Sequence, residues 1–227
     1  MYYYVCMRFH IITIFPNIFD SYLNESILGR AIKNKLISVR FYNTRDFVNA
    51  PKNNYRPVDD KPYGGGPGMV MRAEPLLKAV AKVLSAIKGA NRKVLIVNFI
   101  PSAEKFTTTL AKKISKKYTD IILICGRYEG IDARVDKILK TKKISIGDYV
   151  LTGGEIPAMI MIDCVSRQIK GVLGNHDSLE EERISSSEVY TRPEILKYKS
   201  KNYRVPKILL SGHKAKIEEW KKRNGRI

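Results

Sequence analysis

Cysteine and histidine are scarce in this sequence of 227 residues, with three copies of each. The cysteines, Cys6, Cys125 and Cys164, are odd in number and have no Cys-x-x-Cys spacing. This argues against a disulfide framework and against a zinc site, and it is typical of a protein kept in a reducing compartment. The histidines are scattered without the spacing of metal ligands.

Long apolar runs and targeting signals are also missing. The longest runs, such as residues 121–125, are too short to span a bilayer. The N-terminus lacks the ordered basic, apolar and small-residue segments of a secretory signal, and Met7 is an alternative start to Met1. We therefore expect a cytoplasmic protein. Its 44% hydrophobic content is that of an ordinary globular chain.

Acidic residues are few, since 22 Asp and Glu oppose 41 Lys and Arg, for a net charge of +19. Residues 191–227 hold twelve of the basic residues and three of the acidic ones. Tyrosines and the tryptophan are interleaved there, namely Tyr190, Tyr198, Tyr203 and Trp220. A lysine-rich composition that merely fills solvated faces is one interpretation, and a membrane surface is another. Basic residues mixed with stacking rings favour RNA.

Short apolar runs of strand length alternate with helical patterns in the first 170 residues. Strands are predicted at 9–15, 38–42, 94–100, 121–125 and 144–146, and helices at 23–33, 74–87, 104–117 and 155–167. This alternation predicts an α/β fold with a parallel sheet covered on both faces. The composition changes after Gly171, which predicts a domain at 1–170, a linker at 171–189 and a small basic α-helical domain at 190–227.

Three glycine-rich motifs follow or lie near predicted strands: Tyr-Gly-Gly-Gly-Pro-Gly at 63–68, Gly-Arg-Tyr-Glu-Gly-Ile-Asp at 126–132, and Ser-Ile-Gly-Asp-Tyr-Val-Leu-Thr-Gly-Gly-Glu at 145–155. The first is either a flexible surface loop or a backbone that approaches a ligand closely. The second is either a helix start with acids that complement the dipole or a ligand site. Together they predict one pocket made largely of backbone groups.

These motifs, with Tyr-Thr-Arg-Pro-Glu at 190–194, closely resemble bacterial tRNA (guanine-N1)-methyltransferases of the SPOUT superfamily, from about Met7 to Trp220. The resemblance implies an α/β domain with a C-terminal trefoil knot that binds S-adenosylmethionine. The cofactor residues carried over by motif are Pro101, Gly126, Glu129, Ile146, Gly147, Tyr149, Leu151, Gly153, Gly154 and Pro157. Pro101 departs from the family pattern by one residue.

The reaction implied is methylation at N1 of guanosine 37 of tRNA when another guanosine precedes it. Pro67 and Gly68 would approach the cofactor and the base, and Glu129 would contact the guanine edge. The N1 proton must be removed by a carboxylate, and a guanidinium would stabilise the charge that develops on the carbonyl oxygen. Arg167 matches the family arginine credited with that role; an ordinary helix-terminal cation is the alternative.

The general base departs from the family, which usually has Asp in the linker of the partner subunit. Glu182 occupies that position, in a linker about four residues shorter than the usual pattern. Glu181 is the alternative base, and a solvated acidic linker without a catalytic role is a third interpretation.

The resemblance also implies a homodimer whose sites combine Glu182 of one chain with Arg167 of the other. The C-terminal domain would grip the anticodon arm through Tyr190, Arg192 and His213. Mg²⁺ dependence is implied without a dedicated protein cage. Two other hypotheses remain: a module that binds tRNA and cofactor without turnover, and a SPOUT enzyme acting on another RNA or another guanosine.

Overall fold

The computed structural model of the chain describes residues 6–49, 55–89, 91–174 and 187–225. It divides into one unit at 1–174 and a second at 175–227.

A five-stranded sheet with strand order β2-β1-β6-β5-β7 organises the first unit. Its strands are β1 (Met7–Thr13), β2 (Ile37–Asn43), β5 (Val94–Lys105), β6 (Asp120–Ile124) and β7 (Lys142–Ser145). Every pairing is parallel. The central strand β6 is buried along its whole length, and its residues 121–124 form the uninterrupted apolar run that such a strand requires. The predicted α/β class with a parallel sheet is confirmed.

Helices cover both faces of the sheet. They are α1 (Asp20–Leu23), α2 (Ser26–Lys33), α3 (Ala73–Ala86), α4 (Thr108–Lys117), α5 (Ala133–Leu139) and α6 (Glu155–Ser166). A short antiparallel pair, β3 (Asp59–Asp60) and β4 (Val70–Met71), precedes α3. Successive side chains of a strand point to opposite faces, so Ile121 and Leu123 pack with α2, α4 and α6, whereas Ile122 and Ile124 pack with α3 and α5.

Two predicted helices differ from the observed ones. The helix expected at 104–117 begins at Thr108, because β5 continues to Lys105 and pairs again with β7 after a register shift. The Thr107 hydroxyl accepts a hydrogen bond from the Leu110 amide at 3.2 Å and caps the helix there. The helix expected at 23–33 is divided into α1 and α2. A Cβ at Gly29 would lie 2.5 Å from the Asn24 carbonyl oxygen, so glycine permits this tight junction.

The second unit contains a β-hairpin as well as helices. Strands β8 (Ile195–Tyr198) and β9 (Lys201–Arg204) are antiparallel and are followed by α7 (Lys207–Leu210) and α8 (Lys214–Arg223). The hairpin was not expected in a purely helical domain. None of the residues described between 187 and 225 is buried.

A buried ionic cluster at the start of β1 and β6 makes stability depend on pH. Asp120 is fully buried and accepts hydrogen bonds from the Arg8 guanidinium at 2.7 Å and from His10 Nε2 at 3.0 Å. Burial lowers the pKa of His10 below its ordinary value of 6.5, although Asp120 opposes the change. Burial alone would raise the pKa of Asp120, but its hydrogen bonds hold it below the ordinary value of 3.8.

Acid is therefore expected to destabilise the fold in two stages. As the pH falls below 6.5, the unfolded chain takes up a proton at histidine that folded His10 resists, so the free energy of unfolding decreases. A further loss follows below 3.8, where unfolded aspartate is protonated more readily than Asp120. Urea unfolding at a series of pH values checks this. The His10→Gln variant keeps a donor for Asp120 and should flatten only the first stage; an unchanged first stage would contradict the assignment.

Candidate active site

Two loops at the carboxyl ends of parallel strands, together with the middle of a third strand, wall a cavity of about 440 Å³. Residues 126–131 follow β6 and residues 146–154 follow β7, whereas residues 99–101 lie within β5, where its pairing with β7 is interrupted between Phe99 and Glu104. Ligands of open α/β sheets bind at this edge, and the volume lies in the range of small-molecule sites.

The structure brings all ten predicted cofactor residues to this cavity. They are Pro101, Gly126, Glu129, Ile146, Gly147, Tyr149, Leu151, Gly153, Gly154 and Pro157. These residues span 57 positions of the sequence, and the parallel sheet brings them together by placing the ends of β6 and β7 beside the middle of β5.

The loops after β6 and β7 are joined backbone to backbone. Arg127 and Gly153 form an antiparallel bridge, and the Gly154 amide donates to the Gly126 carbonyl at 2.9 Å. A Cβ at Gly154 would lie 2.6 Å from the Cys125 Cα and 2.9 Å from the Gly126 nitrogen. Glycine at 154 is therefore required by close approach of two main chains.

The first glycine motif reaches the cavity through Glu129. The Glu129 amide donates to the Met69 carbonyl at 3.0 Å, and the Met71 amide donates to the Gly130 carbonyl at 2.9 Å. A Cβ at Gly68 would lie 2.8 Å from Glu129 Oε1, and Gly68 has a φ of +89°. Gly68 thus lies against the Glu129 carboxylate, with Pro67 beside it in sequence and exposed.

A buried triad supports the joined loops and was missed by the sequence analysis. Glu155, at the start of α6, accepts a hydrogen bond from the Thr13 hydroxyl at 2.8 Å and pairs with Arg127 at 2.9 Å. Arg127 also lies over the Phe15 ring, 4.8 Å from its centroid. In sequence, Glu155 had only the pattern of an acid at a helix N-terminus.

Burial and the Glu155 charge raise the pKa of Cys125, so this thiol stays protonated.

Replacing Glu155 by Gln is expected to lower the free energy of unfolding by about 3 kcal/mol, because it leaves the largely buried Arg127 charge without its partner. The side chains of Glu155 and Arg127 are 2% and 19% exposed. Urea denaturation measures the change. Glu74→Gln is the control, since it breaks the exposed Glu74–Lys78 pair and should leave stability unchanged. Equal effects of the two substitutions would contradict the role given to Glu155.

Further cavity residues were also not predicted. Asn98 of β5 is buried, and its amide donates to Asp136 at 3.0 Å. Lys143 lies 3.3 Å from Asp136, and all three residues line the cavity. Asn98 could have been recognised from the sequence, because it is a polar residue inside the apolar run of β5. Asp136 lies on α5, a helix of seven residues whose pattern is too short to recognise.

The predicted catalytic arginine does not line this cavity. Arg167 follows the last residue of α6, whose first turn contacts the cavity through Pro157. Twelve helical residues at about 1.5 Å each separate the two ends of α6 by about 18 Å. Glu182 and Glu181 lie outside the described residues.

The predicted tRNA contacts of the second unit are exposed. Tyr190 is 45% exposed and packs at 6.4 Å against the Trp220 ring. Its hydroxyl donates to Glu188 at 2.7 Å, which raises the pKa of Tyr190. Arg192 is exposed, and His213 is exposed at the N-terminal end of α8.

The chemistry of the cavity walls fits S-adenosylmethionine. Apolar side chains of Phe99, Leu151 and Pro157 suit a flat adenine ring, and the carboxylate of Glu129 suits a cationic ligand. Within the described ranges, no group of three or more His, Cys, Asp or Glu side chains is arranged to hold a metal ion. Nor does any helix in that part of the chain have the length and apolarity needed to cross a membrane.

Comparison with known proteins agrees with this geometry. Residues 7–226 match the family model described as tRNA (Guanine-1)-methyltransferase TrmD. The tRNA (guanine-N(1)-)-methyltransferase of Clostridioides difficile strain 630 is 46% identical over 220 residues, which cover 95% of this chain and 91% of the relative. That of Dictyoglomus turgidum is 45% identical, covering 96% of this chain and 84% of the relative.

A solved structure is similar along nearly the whole chain. The crystal structure of the tRNA (m1G37) methyltransferase from Aquifex aeolicus has 42% sequence identity and a TM-score of 0.74, covering 96% of this chain and 88% of that one. The family match and these relatives extend over both units. The chain therefore belongs to the tRNA (guanine-1)-methyltransferase TrmD family.

Proposed function

We propose that this chain transfers the methyl group of S-adenosylmethionine to N1 of guanosine 37 of tRNA when guanosine precedes it. The observation that carries the proposal is the cavity in which all ten motif residues meet. The names of the relatives support the activity and the guanine N1 target, and the name of the Aquifex enzyme supports position 37.

The cavity residues would hold the cofactor mainly through main-chain groups. Gly126, Gly153 and Gly154 lie where the loops after β6 and β7 meet, with the main chain of residues 125 and 126 against Gly154 and the Arg127 side chain against Gly153. Leu151 and Pro157 would cover the adenine ring, and Glu129 would face the cationic part. When bound, S-adenosylmethionine supplies a methyl group activated by a positively charged sulfur.

We also propose that the loops after β6 and β7 form the trefoil knot implied by the resemblance. Strand β5 lies between β6 and β7 in the sheet. The chain after β7 nevertheless returns to pair with Arg127, just after β6, so it crosses β5. This crossing supports a threaded arrangement.

The chemical step requires a base and a stabilising cation near the guanine. Glu182 of the linker would take the N1 proton, with Glu181 as the alternative, and Glu129 would contact the guanine edge. Arg167 would stabilise the negative charge on the carbonyl oxygen. The base must leave its stack to reach the cavity.

The location of Arg167 supports a homodimer with shared sites. Arg167 follows α6, about 18 Å from the helix end that contacts the cavity of its own chain. Exposed apolar residues on and near α6 provide a surface for a second copy: Phe15, Ile18, Tyr22 and Ile156, each 41–50% exposed. We therefore propose that the partner subunit supplies both Arg167 and Glu182 to each cavity. This differs from the arrangement implied by the resemblance, in which one chain supplies Glu182 and the other supplies Arg167.

The roles of the domains and the cellular location are inferred from the charge of the chain and from its family. We propose that the basic C-terminal domain, 190–227, binds the anticodon arm through Tyr190, Arg192 and His213, with 171–189 as the linker and 1–170 as the cofactor domain. A cytoplasmic location suits an enzyme of tRNA.

Methyl transfer to two tRNA transcripts tests the function. One transcript carries guanosine at 36 and 37, and the other carries adenosine at 36. We expect labelled methyl to enter only the first, at N1 of guanosine 37. Binding of tRNA and cofactor without transfer would contradict the enzyme and favour a binding module, and transfer to another guanosine would contradict the specificity.

Mixing inactive variants tests the shared site. We expect Gly154→Ala mixed with Glu182→Gln to regain activity, since the Glu182→Gln subunit keeps a sound cavity and receives Glu182 from its partner. Arg167→Ala mixed with Glu182→Gln should stay inactive, because both groups would come from the same chain. Activity in the second mixture would show that they come from different chains, and no activity in either would contradict sharing.

A further inference from the structure

The β8–β9 hairpin of the second unit has a face of aromatic and basic side chains. Leu196 pairs with Tyr203, and Tyr198 pairs with Lys201. Directly paired residues of an antiparallel ladder point to the same face, as do alternate residues of one strand. Leu196, Tyr198, Lys201 and Tyr203 therefore share one face, which we call the tyrosine face.

The tyrosine face is exposed, and its rings do not take part in the Tyr190–Trp220 contact. Tyr198 is 60% exposed, Tyr203 53% and Leu196 56%. Tyr190 and Trp220 pack on each other with centroids 6.4 Å apart. The structure thus separates the four aromatic residues of the basic region into a pair packed on each other and a pair on the tyrosine face.

The hairpin and the residues just after it carry positive charge only. Residues 195–207 contain five basic residues and no acidic one. They are Lys197, Lys199, Lys201, Arg204 and Lys207. Lys199 lies over the Tyr198 ring, 5.6 Å from its centroid. Cations beside exposed rings complement a partner that offers phosphate groups and flat bases.

The spacing of the two tyrosines also suits a base. Tyr198 and Tyr203 are diagonal neighbours in the antiparallel ladder, and side chains in this relation start about 7 Å apart. Stacked bases are separated by about 3.4 Å, so this separation is about the two stacking distances that a planar base between two rings would need. Paired bases in an RNA helix are not available for such contacts, whereas unpaired ones are.

We propose that the tyrosine face binds unpaired nucleotides of RNA by stacking on Tyr198 and Tyr203, with the surrounding lysines contacting phosphates. This inference rests on the proposed function, which supplies tRNA as the RNA, and it assigns a contact separate from the cavity and from Tyr190, Arg192 and His213.

Binding of the full chain to RNA tests the inference. The probes are a labelled tRNA transcript, a short unpaired RNA and an RNA duplex of equal length. The variant with both Tyr198→Ala and Tyr203→Ala should bind the unpaired RNA about 5- to 150-fold more weakly for each stacked base lost. Duplex binding and the salt dependence of affinity should stay unchanged, because no phosphate contact is removed.

Two matched variants distinguish a loss of base stacking from a loss of folding and from a loss of apolar contact. Tyr198→Phe with Tyr203→Phe keeps both rings and should bind as the unchanged chain does. Tyr198→Leu with Tyr203→Leu keeps apolar side chains without rings and should bind as weakly as the alanine variant. Lys201→Gln should instead reduce the salt dependence.

Several outcomes would overturn the inference. One is equal affinity of all variants for the unpaired RNA. A second is an equal loss of affinity for unpaired and for duplex RNA in the alanine variant, and a third is an affinity of the leucine variant equal to that of the unchanged chain. A loss confined to vesicles of anionic phospholipid would assign the face to a membrane surface instead. Methyl transfer by the unchanged chain separates the two proposals: transfer without any tyrosine effect rejects only the tyrosine face, and a tyrosine effect without transfer rejects only the enzyme.

Discussion

Replacing Gly154 by Ala is expected to lower kcat/KM for methyl transfer by about 100-fold, the order of loss seen when reacting groups are misplaced by about 1 Å. The added Cβ would lie 2.6 Å from the Cys125 Cα and 2.9 Å from the Gly126 nitrogen. Both neighbours are main-chain atoms at the end of the central strand, so they cannot rotate away as a flexible side chain would. The loops must separate, and the backbone walls of the cavity move with them.

Separate measurements distinguish local from global damage. Overpacking of this kind costs about 1–3 kcal/mol of stability, which urea denaturation would detect as a moderate decrease while the chain stays folded. Calorimetric titration with S-adenosylmethionine should show weakened binding. Gly174→Ala is the matched control, because no atom lies within 4 Å of a Cβ at that position. Full activity of Gly154→Ala would show that the close approach of the loops does not form the cofactor site.

Replacing Glu182 by Gln is expected to slow single-turnover methyl transfer by about 100-fold or more, since general-base catalysis typically contributes about 10²- to 10⁴-fold. The amide has nearly the same shape as the carboxylate but cannot accept the N1 proton. Affinity for tRNA and cofactor should change little, so the loss should appear in the rate at saturation. Rapid mixing of enzyme with excess cofactor and limiting tRNA measures that rate directly.

Glu181→Gln is the control for this prediction, because it removes a neighbouring carboxylate of the same linker. It should transfer methyl at the unchanged rate. If Glu181→Gln is slow and Glu182→Gln is not, the base is Glu181. If neither is slow, the linker has no catalytic carboxylate and the proton leaves by another route.

Much of the fold could be predicted because each element carries its own local signal. The five-residue run at 121–125 is apolar throughout and buried throughout, as a central parallel strand must be, and β6 forms there. The glycine motifs at 126–132 and 145–155 follow strands directly, so the edge of the sheet that holds the cavity was also predictable. Errors occurred where the local signal was weak, as in the seven-residue α5 and the extension of β5 through Glu104 and Lys105.

The sequence by itself determined the parallel α/β class, the excess of positive charge and the glycine-rich edge of the sheet where the cavity lies, because periodicity and glycine spacing are local properties of the chain. The ten cofactor residues were expected from the family resemblance. Only the tertiary structure decided which distant groups meet. Thr13 and Glu155 are 142 positions apart and bond because β1 and α6 pack together. Arg167 is separated from the cavity by the length of α6, and Tyr198 and Tyr203 share a face through the hairpin register. These contacts depend on sheet order, helix length and strand register, which bring residues together irrespective of their local pattern.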